Sequence, residues 1–203
     1  MMRYPNSINK VLIQRIVKQF PFNHKHSEHG MGHWLRVINN GLQLAQDNPL
    51  IDIDVVFWFG LFHDCCRLNE HRDPHHGERA RHFIEQLRDH LPLNHAQLEQ
   101  LKEACAIHTK HFLHDDPTIA ACLDADRLDL PRVNVDINPV YLSLEAAKCP
   151  QLIAKCTQKA RSWAVDEELA SQLGVAHLFD IEQHILDFFD KYALDSSTQG
   201  INE

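Results

Sequence analysis

An all-α fold is predicted by three features of the 203-residue sequence. Apolar residues recur at helical spacing in segment after segment, capping residues and prolines bound those segments, and no stretch offers a strand with a partner or a hairpin turn.

The first helix is expected after Asn6-Ser7 as its cap, with Ile8, Val11, Leu12 and Ile16 inward and Pro21 as its stop. A second should run over about 32–46 with Trp34, Val37, Ile38, Gly41 and Ala45 on one face, until Asp47-Asn48-Pro49 ends it. The stretch IDIDVVFWFGLFHDCCR opens with β-branched residues, but without a partner strand it reads as a buried helix. After the polar turn LNEHRDPHHG, Ala80, Phe83, Ile84, Leu87 and Leu91 mark a fourth helix that Pro92 closes. A fifth is expected over about 94–111, then a loop at 114–117, then a shorter sixth over 119–128. Further helical patterns at 141–147, 151–164 and 181–192 read as C-terminal packing helices, and the polar 195–203 as a frayed tail. The expectation is a single domain over 1–194, its chemistry-bearing core at about 29–133.

With 44% hydrophobic and 24% charged residues the chain can bury a full core. A formal charge of -8 and a pI near 6.0 leave no basic surplus for a polymeric nucleic acid or an anionic membrane. The longest apolar run, 55–62, falls far short of the roughly 20 residues that span a bilayer. Lys10, Arg15 and Lys18 interrupt the apolar part of the N-terminal segment, so it lacks a signal-peptide core, and a cytoplasmic location is expected. The six cysteines form no C-x-x-C pair and are expected as reduced thiols, acting as small core residues.

Histidine is the compositional outlier, with 16 residues spread from His24 to His184 rather than run together as a tag. His63-Asp64 follows an apolar segment, so an imidazole and a carboxylate emerge together where a buried element meets a polar loop. That pairing suits a divalent cation. Upstream lies HGMGHW; downstream lie DPHHG, AIHT and DADRLD.

The ordered set His33, then His63-Asp64, then Asp126 resembles the signature of HD-superfamily metal phosphohydrolases, over about residues 29–133. The resemblance implies a compact helical HD-domain bundle in which His33, His63, Asp64 and Asp126 bind one divalent metal. His76 and His108 are its candidates for a second. Helical phase agrees at three positions, at about 100° per residue. Asp126 falls among Ile119, Cys122, Leu123 and Leu130, whereas Asp124 points roughly 140° away, as a supporting or solvent group. His108 lies within about 35° of the face made by Leu98, Leu101, Cys105 and Phe112, and His111 roughly 95° away. His76 extends the Ala80, Phe83, Ile84 and Leu87 face, and His75 does not. Phase does not decide His33, for which His29 is the competitor.

The implied reaction is hydrolysis of a small phosphorylated substrate, with a nucleotide foremost, by metal-activated water. The ion would be Mn, Mg, Co, Ni, Zn or Fe. Asp64 would both ligate it and orient the water, and Arg67, one turn on, would recognise phosphate and stabilise charge. Lys110, Arg79 and Arg127 are weaker anion-binding candidates, each expected as a solvated charge. No G-x-x-x-x-G-K-[ST] is present, so a P-loop mechanism has no support. Two rivals stand beside hydrolysis: an HD-fold diiron oxygenase and a non-catalytic nucleotide sensor.

Overall fold

The computed structural model describes residues 9–179. The Asn6-Ser7 cap, the helix expected at 181–192 and the tail at 195–203 lie outside the described residues. What is described is all-helical, with no strand.

Helix α1 (Lys10–Val17) is capped by Asn9, whose side chain accepts from the Val11 and Leu12 amides. It buries Leu12, Ile13, Ile16 and Val17, while Val11, expected inward, is 81% exposed. Ile13 and Val17 complete the inward stripe with Ile16, and this phase turns Val11 to solvent.

Helices α2 (Met31–Ala45) and α3 (Ile53–Phe62) form the centre of the molecule. In α3 every residue from Val55 to Phe62 is buried, because α1, α2, helix α5 (His95–Ile107) and helix α6 (Pro117–Arg127) surround it. A helix enclosed on all sides can be apolar all round. Trp58, Phe59 and Phe62 are fully buried in it, each stabilising the fold by about 1.5–3 kcal/mol. Gly60 permits the α2–α3 contact to close: a Cβ there would lie 2.4 Å from Ile38 Cγ1 and 3.2 Å from the Ile38 amide nitrogen.

Helix α4 (His76–Gln86) packs on α5. Leu87 caps it and a short 3-10 turn, Arg88–His90, follows. α5 starts where expected, with a capping box between Asn94 and Gln97, but ends at Ile107, four residues earlier than the sequence suggested. Phe112 consequently leaves the predicted inward face and is 56% exposed. α6 begins at Pro117 behind an Asp116 cap.

Helix α7 (Pro150–Arg161) matches the pattern at 151–164, and a short helix α8 (Glu167–Leu173) was not anticipated. The pattern at 141–147 gives no α-helix. A 3-10 turn, Pro139–Tyr141, leads into extended Leu142, and the amides of Ser143 and Leu144 donate to the buried Asp124 carboxylate. Those amides are thereby drawn away from an i→i−4 ladder. Leu142, Ala147, Leu152 and Cys156 then build a second, smaller core against Leu44 and Leu128.

All six cysteines are free; five are buried and Cys149 is exposed. Among the described residues no helix is long and apolar enough to cross a membrane.

Candidate metal centre

Five helices bring the predicted ligands together. His33 comes from the first turn of α2, and His63 is the C-cap of α3 with Asp64 following it. His76 opens α4, His108 caps the end of α5, and Asp126 lies in the last turn of α6. His33, His63, Asp64, His76 and His108 are all buried, and the Asp126 side chain is 19% exposed.

Two groups of ligand atoms adjoin. The donor atoms of His33, His63 and Asp64 lie within 4.8 Å of one another, as do those of Asp64, His76 and His108. Asp64 belongs to both and divides its oxygens between them. Its Oδ2 is 3.6 Å from His33 Nε2 and 3.8 Å from His63 Nε2. Its Oδ1 is 2.8 Å from His76 Nε2 and 3.7 Å from His108 Nε2. Asp126 Oδ1 completes the first group at 3.3 Å from His33 Nε2 and 3.9 Å from His63 Nε2. These buried histidines and aspartates could hold a metal ion, and Asp64 is common to both groups.

The hydrogen bonds fix which nitrogen of each ring is bare. His63 Nδ1 faces the carbonyls of Phe59 and Gly60, both at 3.2 Å. His108 Nδ1 faces the Cys105 carbonyl at 2.7 Å, and His76 Nδ1 the Asp73 carbonyl. Carbonyl oxygens only accept, so these three Nδ1 atoms carry the proton. His33 Nδ1 donates likewise to Asp129 Oδ2 at 2.7 Å. In the neutral tautomer each Nε2 is therefore an unprotonated lone pair aimed at the cluster.

Those lone pairs face each other at short range. His33 Nε2 and His63 Nε2 are 2.9 Å apart, and His76 Nε2 and His108 Nε2 are 2.8 Å apart. Two acceptors at that distance repel unless a cation lies between them. Two nitrogens each about 2.1 Å from one ion at a right angle would be separated by about 3.0 Å, so the donor set fits a divalent metal.

Protonation states agree. Burial drives the His63 imidazole down to about 3, against the pull of Asp64 and Asp126, which keeps it neutral. Burial acts upward on the Asp64 carboxyl, but the neighbouring His63, His76 and His108, with a hydrogen bond from His29, hold it well below the usual carboxylate range. Burial likewise opposes ionisation of Asp126, and the neighbouring His33 and His63, with Arg132, hold it well below the usual range. Neutral imidazole with ionised carboxylate is the form that ligates.

Several supporting residues were not singled out from the sequence. Asp129 orients His33 and is itself gripped by Arg36, Nε to Oδ1 at 2.7 Å and Nη2 to Oδ2 at 3.1 Å. Arg132 donates to the Asp129 carbonyl at 3.1 Å and to the Glu28 carbonyl at 2.7 Å. The signal was present in DADRLD, but nothing in a single sequence separates a carboxylate that holds a ligand from one that is a ligand.

His29, the competitor for His33, is also at the centre. Its Nδ1 lies 2.9 Å from Asp64 Oδ2, so it donates to that carboxylate while His33 presents Nε2 to both aspartates. Arg67 is buried, and its nitrogens reach Asp64 Oδ1 at 3.4 Å, the Asn69 carbonyl at 3.3 Å and the His71 carbonyl. It thus fixes one oxygen of Asp64 and the loop beside it. Of the weaker anion candidates only Lys110 is a solvated charge. Arg79 pairs with Asp73 and donates to the Cys66 carbonyl. Arg127 is buried, donates to the His111 carbonyl and sits 5.4 Å from the centroid of the Phe112 ring.

Asp124 and Asp126 divide as helical phase indicated. Asp126 faces the ligands, and Asp124 supports the 143–144 turn with no exposure to solvent. No protein-family model, curated protein or solved structure matches the chain.

Proposed function

We propose that the chain is a metal-dependent phosphohydrolase of the HD type, acting on a nucleotide or another small phosphate ester. One observation carries this reading. Four imidazole Nε2 lone pairs and the carboxylates of Asp64 and Asp126 converge in a buried cluster without a proton to separate the imidazoles.

A divalent ion bound there would supply a water of lowered pKa and polarise a phosphoryl oxygen. His33, His63, Asp64 and Asp126 would hold one ion, and Asp64, His76 and His108 a second. Asp64 lies at the junction, where its carboxylate can orient the attacking water as well as hold metal. Arg67 keeps Asp64 Oδ1 directed toward His76 and adds positive charge where phosphate charge must be stabilised. His29 keeps a proton at Nδ1 against Asp64 Oδ2, on a side chain 14% exposed. That bond helps hold Asp64 in place between the two ligand groups.

The test is metal analysis coupled to phosphate release from a nucleotide panel, after chelation and reloading with Mn, Mg, Co, Ni, Zn or Fe. Release restored by at least one of these ions is expected. Asp64→Ala should lose both metal retention and turnover; full metal content with retained activity would overturn the assignment.

A second reading is favoured by the shared Asp64, because a carboxylate between two ion positions also suits a diiron oxygenase. Oxygen consumption with iron alone, and no phosphate release with any ion, would replace hydrolysis by oxidation. Tight nucleotide binding without turnover across the series would instead mark a sensor.

A further inference from the structure

A cavity of about 710 Å³ lies behind the metal centre, and of the six predicted ligands only His33 reaches its wall. The other face of that wall is the relay already described: His33 Nδ1 to Asp129, and Asp129 to Arg36, which also lines the cavity. The remaining lining joins apolar and aromatic surface, Trp163, Val165 and Phe179, to charged groups, Lys25 and Glu167. A volume of a few hundred Å³, apolar walls and a few polar groups are the attributes of a small-molecule site.

Trp163 supplies an independent observation. It follows α7 at φ 53°, in the left-handed region, and closes the helix by donating to the Ala160 carbonyl at 3.1 Å, while the Ala164 amide reaches the Lys159 carbonyl at 3.0 Å. That position in a helix terminus is normally glycine, since a Cβ is strained there. A bulky indole in it is a local cost of the kind that functional sites retain. Trp34 and Trp58 are fully buried, whereas Trp163 is 38% exposed and turned to the cavity.

Charge completes the description. Lys25 Nζ donates to the Phe179 carbonyl at 3.0 Å and lines the cavity, with no carboxylate partner among the described residues. Glu167 offers an acceptor at the same cavity.

We infer that this cavity is a second binding site, separate from the metal centre, for a planar aromatic ring bearing an anionic group and an N–H donor, the chemistry of a purine nucleoside monophosphate. The ring stacks on Trp163 beside Phe179, the anion meets Lys25, and Glu167 accepts from the exocyclic amine. The inference does not depend on phosphohydrolase activity, because the centre's ligands other than His33 take no part in it.

The test is calorimetric titration of the metal-free, full-length protein with adenosine monophosphate. Saturable binding is expected, weakened about tenfold or more in Lys25→Met and in Trp163→Ala and unchanged in His63→Ala. Gly32→Leu serves as an occluding variant: a Cβ at Gly32 would meet Arg36 Nη1 at 3.4 Å and Val165 and Phe179 at 3.9 Å, so a longer side chain enters the cavity and should abolish binding. Thermal melts identify any variant that has lost its fold; Lys25→Met, at a partly exposed side chain, keeps the test decisive if the others have. Absence of saturable binding overturns the proposal. So does binding that His63→Ala removes and Lys25→Met leaves untouched, which would place the nucleotide at the metal centre.

Discussion

Asp129 shows how much of the candidate centre would depend on a residue outside both ligand groups. Its carboxylate holds the proton-bearing nitrogen of His33 and is held in turn by Arg36, all three side chains being buried. Partners of this kind fix ring orientation and basicity, and removing one lowers metal affinity by about 10–100-fold. Asp129→Asn keeps the shape and an acceptor for Arg36 but removes the negative charge from behind His33. We expect Mn binding weakened by about 10–100-fold with the fold retained, measured by metal titration alongside circular dichroism; unchanged affinity would show that His33 needs no such support. At this scale the convergence of the candidate ligands was legible because each combines a metal-binding side chain with a position in an ordered series, and at Asp126 and His108 helical phase added an independent criterion. Asp129, His29, Arg36 and Arg132 were less so. Their roles come from contacts with residues up to about a hundred positions away, as in the bond from Arg132 to the Glu28 carbonyl, and no local pattern encodes that.

Between elements, the placement of ligands reduces to how closely helices approach. A Cβ at Gly77 would stand 2.1 Å from the Cys105 carbonyl oxygen and 3.1 Å from His108 Nδ1. Backbone cannot yield as a flexible side chain does, so Gly77→Ala must push α4 from α5 and separate His76 from His108. The expected result is loss of one bound ion per chain with the other retained, read by metal stoichiometry, and a fall in stability of about 1–3 kcal/mol from the misfit. Two ions in the variant would detach the second group from this contact. The tie between α6 and the 143–144 turn gives a pH-dependent prediction. Burial raises the Asp124 carboxyl to about 6, against the hydrogen bonds from the Leu144 and Ser143 amides. The folded state then binds this proton more tightly than the unfolded chain, whose value is near 3.8. The associated stability is fully present below about 4 and is lost as pH rises through about 6, amounting to about 3 kcal/mol. Asp124→Asn cannot titrate, so its stability relative to the parent should improve by that order between pH 4 and pH 7, measured by urea unfolding at both ends. A constant difference would mean that Asp124 titrates alike in both states. The same clasp explains the main failure of element prediction. The spacing at 141–147 is helical, but amides recruited by a carboxylate nineteen and twenty positions earlier do not enter a ladder. Buried α3 was correctly read despite its β-branched start, because absence of a partner strand is itself sequence information.

For the molecule as a whole, the arrangement concentrates its least stable chemistry at its centre. Histidine lone pairs face each other at 2.8 and 2.9 Å inside a helical core, and two ionised aspartates share that space. Without a cation the fold must bear this repulsion; with one the same atoms become ligands. Metal binding here would couple to global stability, because the unfolded chain has no preformed site. An ion present at about 100 times its dissociation constant stabilises the folded state by about 2.7 kcal/mol. In a chain of this length each kcal/mol corresponds to about 2–4 °C, so chelation should lower the melting temperature by about 5–10 °C. The two groups can be separated by the same measurement. His63→Ala should abolish the part of the shift that comes from the first group and His108→Ala the part from the second, with Asp64→Ala losing both. If the chelated and metal-saturated proteins melt together for every ion tried, the converging nitrogens are not a metal centre, and the phosphohydrolase reading falls with them.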